Sequence, residues 1–134
     1  MQGENGTNGP SRPEDNEKKT ELEMNDATGD LAVKIEGHRI KFNIKDKFRV
    51  CRDIMYNELD GEIVLYNNKN QYYYSLNEMG TEIFDMIEKK MSFSEIEGSL
   101  YTEYGKEIER TDLRSDIAYI VADLISEKII EKEK

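Results

Sequence analysis

The sequence predicts an α+β domain in which a small antiparallel sheet, of about three strands, precedes three helices. The main observation is a change of period: apolar residues alternate up to Leu76 and recur at helical spacing after Asn77. The second observation is that two further amphipathic segments follow, each with a recognisable start signal. A hairpin packed on its own following helix, with two more helices behind it, is the expected arrangement.

Length and composition bound the number of domains. The chain has 134 residues, 37% hydrophobic and 36% charged, so it can form one small folded domain at most. Residues 1–30 contain too few apolar side chains to offset the entropy of ordering, and they predict a disordered acidic tail. Residues 31–46 alternate around Glu36-Gly37 and predict an extended arm or weak hairpin. The folded domain is expected over residues 47–134.

Two strand-like segments, 62–66 and 71–76, form the predicted hairpin. They flank an Asn-Lys pair, and Asn tolerates the positive backbone angles of a tight turn. A two-residue turn sets Leu65 opposite Tyr72, which places the apolar residues of both strands on one face. An earlier strand is expected from the alternation over residues 48–54.

Each predicted helix has a start signal. Asn77 is a good N-cap for the first helix. The second begins with the capping-box pattern of Ser92 and Glu95 and ends at Gly105. The third is expected over about residues 111–127. A small sheet with three short helices is the inventory of a winged-helix-like domain, an architecture that says little about function.

Residues able to carry catalytic chemistry are sparse. One cysteine, Cys51, and one histidine, His38, exclude an internal disulfide and leave no Cys/His cluster for zinc. The sequence contains no nucleophile elbow, phosphate loop, HExxH or CxxC motif. The many Asp and Glu residues recur between apolar helix positions, as on a solvated face. We therefore predict a non-enzymatic protein without a metal or other cofactor.

Charge argues against binding to nucleic acid. The net charge is −10, and the third helical segment is itself rich in Asp and Glu, which would repel phosphates. No apolar run approaches the roughly 20 residues of a membrane span, and the N-terminus lacks the plan of a secretion signal. A cytoplasmic protein that binds neither nucleic acid nor membrane is expected.

Four stretches resemble the PqqD family, also described as RiPP recognition elements: GEIVLYN, YYYSLNEMGTEIF, FSEIEGSLYTEYG and DIAYIVADLISEKIIE. The resemblance covers about residues 48–131, and the Leu76-Asn77 join is among its most specific parts. One departure is Lys128, where the family usually has a glycine. A left-handed C-cap is costlier without glycine, so the last turn is expected to end differently.

The resemblance implies a winged-helix-like chaperone that binds the leader segment of a ribosomally synthesised precursor peptide. It would present the peptide to a modifying enzyme, often a radical SAM protein. The leader would add an antiparallel strand to the hairpin edge, in a groove closed by the third helix. The resemblance implies these peptide-binding positions: Gln71, Tyr72, Tyr73, Tyr74 and Ser75 on the edge strand, and Arg114, Ile117, Ala118 and Val121 on the helix.

The physics of an edge strand agrees with this role. No proline or inward-pointing charge guards residues 71–75, so their unpaired backbone groups are open to a partner. Two alternatives stay open from the sequence. One is an acidic winged-helix regulatory or protein-interaction module. The other is a homodimer in which two copies pair through this edge strand.

Overall fold

The computed structural model describes residues 21–133. Within this range it contains eight strands and three helices. In chain order these are β1 (Leu22–Asn25), β2 (Asp30–Ile35), β3 (His38–Asn43), β4 (Phe48–Val50), β5 (Ile54–Leu59), β6 (Glu62–Asn67), β7 (Tyr72–Ser75), α1 (Glu78–Glu88), α2 (Phe93–Tyr104), α3 (Arg110–Ser126) and β8 (Ile130–Lys132).

The strands form three small antiparallel sheets, in the orders β1-β2-β3, β4-β8 and β5-β6-β7. The predicted α+β class with three helices is confirmed. The expectation of about three strands was too low, because the alternating residues before position 48 form a sheet of their own. The predicted strand over residues 48–54 is two strands, β4 and β5, which pair with different partners.

The N-terminal sheet differs from the expected tail and arm. The expectation of disorder does not hold for Leu22–Asn25, which forms β1, and residues 1–20 of the predicted tail lie outside the described residues. The hairpin expected around Glu36-Gly37 is present as β2 and β3. Its inward side chains join the main core, and the Phe42 and Phe93 rings lie 5.4 Å apart. This sheet packs on α3 instead of preceding the domain as an arm.

The register of the β6–β7 hairpin differs from the prediction by two residues. Leu65 pairs with Tyr74, not Tyr72, because the turn spans four residues instead of two. The Asn67 side chain accepts hydrogen bonds from the backbone N–H groups inside the turn, and Gln71 closes it with a φ of 65°. A shift of two residues preserves the faces of a strand, so the predicted inner face is retained.

The helix signals correspond to observed helix ends. The Asn77 side chain accepts a hydrogen bond from the Gly80 N–H at 2.8 Å, and both bonds of the predicted capping box are present at the start of α2. The expectation that the last turn would end differently at Lys128 is wrong, because Lys128 adopts the left-handed conformation with a φ of 64° although it is not glycine. The chain then turns back, and Ile129 and Ile130 are buried beside β4.

The core lies between the inner face of the β5–β7 sheet and the helices. Ile63 and Leu65 on β6 are fully buried in one cluster with the apolar stripe of α1. Thr81 ties the two elements together, because its hydroxyl accepts a hydrogen bond from the Ile63 N–H and donates one to the Leu76 carbonyl. These two hydrogen bonds join the hairpin to α1. Among residues 21–133, no helix has the length and apolar character needed to cross a bilayer.

Candidate functional site

Strand β7 is an open edge in the described part of the chain, where it pairs only with β6. The Leu76 N–H donates to the Ile63 carbonyl at 2.9 Å, so the backbone groups of Leu76, Tyr74 and Tyr72 are directed towards β6. Successive residues of a strand direct their backbone groups to opposite sides. The N–H and C=O groups of Tyr73 and Ser75 therefore point away from the sheet. They are the groups that an added strand would use.

The edge begins one residue later than predicted. Gln71 lies in the turn, where its N–H donates to the Asn67 carbonyl at 2.7 Å and is not available to a partner. The Tyr72 N–H is likewise occupied, because it donates to the Asn70 side-chain oxygen at 2.9 Å. Of the five predicted edge positions, Tyr73 and Ser75 thus carry the free N–H groups.

The side chains of β7 alternate between two faces. Tyr72 and Tyr74 are on the inner side, and the Tyr74 hydroxyl donates to a Glu127 carboxylate oxygen at 3.1 Å. Burial, together with the Glu127 carboxylate, raises the pKa of Tyr74 above its ordinary value. Tyr73 is on the outer side, is 74% exposed, and packs its ring 4.7 Å from that of Tyr66. The edge therefore offers an aromatic side chain on each face.

The four predicted helix positions lie in a different environment. Ile117, Ala118 and Val121 are fully buried, and α3 packs against β2 and β3 of the N-terminal sheet. Arg114 is held by Glu97, to which its Nε donates at 3.0 Å, and its Nη1 lies 3.2 Å from the Met24 sulfur. In this conformation Ile117, Ala118 and Val121 expose no surface to a peptide on β7.

Glu127, which directly follows α3, accepts the hydrogen bond from the Tyr74 hydroxyl of β7, and the sequence reasoning did not select it. It is the C-cap of α3, and no basic residue lies in the last turn. A carboxylate is disfavoured at this end of a helix, and this was the one signal in the sequence that could have singled it out. Asp123 lies one turn earlier, where burial, the Glu127 charge and the Glu36 charge raise its pKa. The end of α3 beside β7 is thus acidic.

No metal-binding cluster of three or more His, Cys, Asp or Glu side chains occurs within residues 21–133. The free thiol of Cys51 is half-buried, and burial raises its pKa above the ordinary value. A raised pKa leaves less of the thiolate, which is the reactive form. At β7 the described residues offer a backbone edge and aromatic side chains.

Comparison with known proteins gives a consistent result. The sequence profile of the family described as "Coenzyme PQQ synthesis protein D (PqqD)" matches residues 62–130, about half of the chain. Among curated proteins, no significant match is found.

Two solved structures share the fold. TbiB1 in complex with the TbiA(beta) leader peptide is 20% identical, with a TM-score of 0.59 over 64% of this chain and 98% of that chain. A lasso peptide synthetase B1 complexed with the leader peptide is 28% identical, with a TM-score of 0.58 over 63% of this chain and 98% of that chain. Both relatives are thus matched over nearly their whole length.

Proposed function

Because the chain belongs to the PqqD family, we propose that it binds the leader segment of a ribosomally synthesised precursor peptide and presents it to a modifying enzyme. The leader adds an antiparallel strand to β7, and the chain itself catalyses no step. Two structural neighbours are complexes with leader peptides, which supports this reading over an acidic regulatory module. The modifying enzyme is a separate protein, and a radical SAM enzyme is the candidate. The chain, the leader and the enzyme assemble in the cytoplasm.

The observation that carries the proposal is the free edge of β7. Tyr73 and Ser75 offer two N–H and two C=O groups, all directed away from β6. Four strand hydrogen bonds at about 1 kcal/mol net each and two anchoring side chains of the peptide at about 2 kcal/mol each contribute about 8 kcal/mol. Ordering a flexible leader costs roughly 2–5 kcal/mol. The dissociation constant is therefore expected between tens of micromolar and a few millimolar.

Weak capture of this kind suits a peptide that is passed to an enzyme. A leader held only by β7 dissociates readily, and contacts between the leader and the enzyme add affinity in the ternary assembly. The Tyr73 side chain and the acidic end of α3 at Glu127 flank the two sides of the added strand. They can select among leaders without forming an enclosed pocket.

Amide hydrogen exchange tests the proposal directly. The protein is titrated with a synthetic leader from the precursor encoded beside its gene, and exchange is followed by NMR. The amides of Tyr73 and Ser75 are expected to exchange rapidly in the free protein and slowly in the complex, because only the guest strand can bond them. The Tyr74 amide, already bonded within the hairpin, is the internal control. A saturating leader that leaves Tyr73 and Ser75 unprotected would contradict strand addition.

The same measurement separates leader binding from self-association. A homodimer that pairs through β7 would protect Tyr73 and Ser75 without any leader, and the protection would rise with protein concentration. Protection that depends on the leader and is independent of protein concentration is the result expected here.

A further inference from the structure

The outer face of the β5–β7 sheet carries a row of apolar side chains that the core does not use. The register places Met55, Tyr66 and Tyr73 side by side across the three strands. Met55 is 60% exposed, and Leu59 further along β5 is 61% exposed. Val64 lies on the same face, beside Tyr66 on β6, and is half-buried. We call these five residues the outer apolar face.

The N-terminal sheet provides a comparison within the same molecule. It is also three-stranded and antiparallel, and its inward side chains are apolar. Its outward positions, however, are mostly charged, with Glu23, Lys34, Arg39 and Lys41 among them. One solvent-facing sheet thus follows the usual pattern of polar outward residues, and the other departs from it. An exposed apolar patch on a small acidic protein marks an interaction surface.

Strand addition does not explain the outer apolar face. A leader on β7 bonds the backbone of Tyr73 and Ser75, and it leaves the β5 side chains of Met55 and Leu59, two strands away, uncovered. An antiparallel guest residue opposite Tyr73 would point to the same side of the sheet and lengthen the row. The outer apolar face is therefore continuous with the added leader strand. It is separate from the backbone groups of Tyr73 and Ser75 that bind the leader.

Charge selects the kind of partner. The β5–β6 turn at one end of the face holds Asp60 and Glu62, both exposed, and neither forms an ion pair within residues 21–133. A second copy of the chain would bring the same carboxylates and a net charge of −10 to the contact. A partner with an apolar centre bordered by Lys or Arg would neutralise them.

We propose that the outer apolar face is the docking surface for the modifying enzyme, whose matching surface is apolar at its centre and basic at its rim. The inference rests on the proposed function, because the enzyme docked there covers the outward side chains of the leader strand. One contact then serves two purposes: it holds the enzyme, and it places the leader at the edge of the interface. The enzyme docks on side chains, and the leader binds to backbone.

The test uses the full-length protein, the modifying enzyme encoded in the same gene cluster, and the synthetic leader. A Met55→Ser/Leu59→Ser double variant is expected to weaken enzyme binding at least about tenfold by calorimetry, since two of the most exposed apolar side chains of the face are lost. Leader affinity should stay within about twofold of wild type. The matched control, Met55→Leu/Leu59→Met, keeps the apolar surface and should bind the enzyme normally. Both double variants change the same two exposed positions, Met55 and Leu59. Thermal unfolding verifies that each variant folds.

A second variant tests the charge of the rim. Asp60→Asn/Glu62→Lys should weaken enzyme binding several-fold at low salt and show less salt dependence than wild type, because the attractive carboxylates at the rim are removed. The corresponding control, Lys34→Glu/Lys41→Glu on the N-terminal sheet, should leave enzyme binding unchanged.

The outcomes separate the inference from the proposed function. Unchanged enzyme binding by the Met55→Ser/Leu59→Ser variant, with normal leader binding, overturns the inference and leaves the proposed function standing. Absence of leader binding by the wild-type protein defeats the proposed function itself. If sedimentation shows a wild-type dimer that the double serine variant cannot form, the face belongs to a second copy and the inference is wrong.

Discussion

Replacing Ser75 with proline tests strand addition at a single backbone atom. Ser75 is exposed, and its N–H points away from β6, so the substitution removes no hydrogen bond of the hairpin. Proline is tolerated on edge strands when the missing N–H faces solvent. Ser75→Ala is the matched control, because it removes the hydroxyl and keeps the N–H. The two variants therefore differ chiefly in whether residue 75 offers a backbone N–H to an added leader strand.

The expected loss of leader-binding free energy in Ser75→Pro follows from the geometry of the edge. Ser75→Pro removes one hydrogen bond of about 1 kcal/mol and leaves a guest carbonyl without a partner, at a cost of about 1–3 kcal/mol. The proline ring also occupies the side from which the guest approaches. A loss of about 2–4 kcal/mol weakens leader binding between roughly thirtyfold and a thousandfold. Stability should change by about 1 kcal/mol or less, because the hairpin bonds at Leu76 and Tyr74 persist.

The assay is a leader titration by calorimetry, with thermal unfolding of each variant as a check of folding. Ser75→Ala should bind within about twofold of wild type, and Ser75→Pro should bind too weakly for an isotherm at the same concentrations. A Ser75→Pro protein that is folded and binds the leader like wild type would refute the assignment of this edge. Tyr72→Pro extends the comparison, because it is expected to damage the turn in which the Tyr72 N–H is bonded to Asn70.

The remaining predictions concern stability. Arg114→Ala should lower the free energy of unfolding by about 2–3 kcal/mol in urea titrations, because it leaves the Glu97 carboxylate, 4% exposed, with only one arginine; a loss of less than about 0.5 kcal/mol would contradict this. Lys128→Gly should raise the free energy of unfolding by up to about 1 kcal/mol, since glycine adopts a φ of 64° without strain. A lower urea midpoint for this variant would contradict the prediction. The raised pKa of Asp123 means that its charged form opposes folding, so Asp123→Asn should be more stable than wild type at pH 7. That gain should shrink as the pH falls through the raised pKa of Asp123 and disappear below the ordinary carboxyl pKa of about 4, where Asp123 is protonated in both states. A gain that persists there would show another cause.

Local signals in the sequence predicted the elements well. The cap at Asn77, the capping box at Ser92 and the helix end at Gly105 all appear in the structure, because each depends on residues within one turn of the chain. The inner face of β6 was predicted correctly for a similar reason, since a strand alternates whatever its partner. The register of Tyr74 was wrong by two residues, because side-chain bonds from Asn67 favour a longer turn.

The candidate site was less predictable, because it depends on contacts between distant parts of the chain. The faces of β7 follow from alternation alone, but the direction of the Tyr73 and Ser75 backbone groups requires the register with β6. Ala118 and Val121 are fully buried on α3, and α3 packs against a sheet some 80 positions earlier in the chain, which composition had suggested would be partly disordered. No periodicity within α3 could show which element covers that side of the helix.

The N-terminal sheet explains why the edge strand, and not the helix, should dominate leader recognition in this chain. The family profile matches residues 62–130, and β1 to β3 lie outside that match. This sheet packs on α3, where Ala118 is fully buried, and Glu127 at the end of the helix contacts Tyr74 of β7. Backbone bonds to Tyr73 and Ser75 do not depend on the identity of the guest side chains. Single alanine substitutions along the leader should therefore weaken binding modestly, about tenfold at most, whereas a proline or an N-methylated residue at the bonded positions should abolish it.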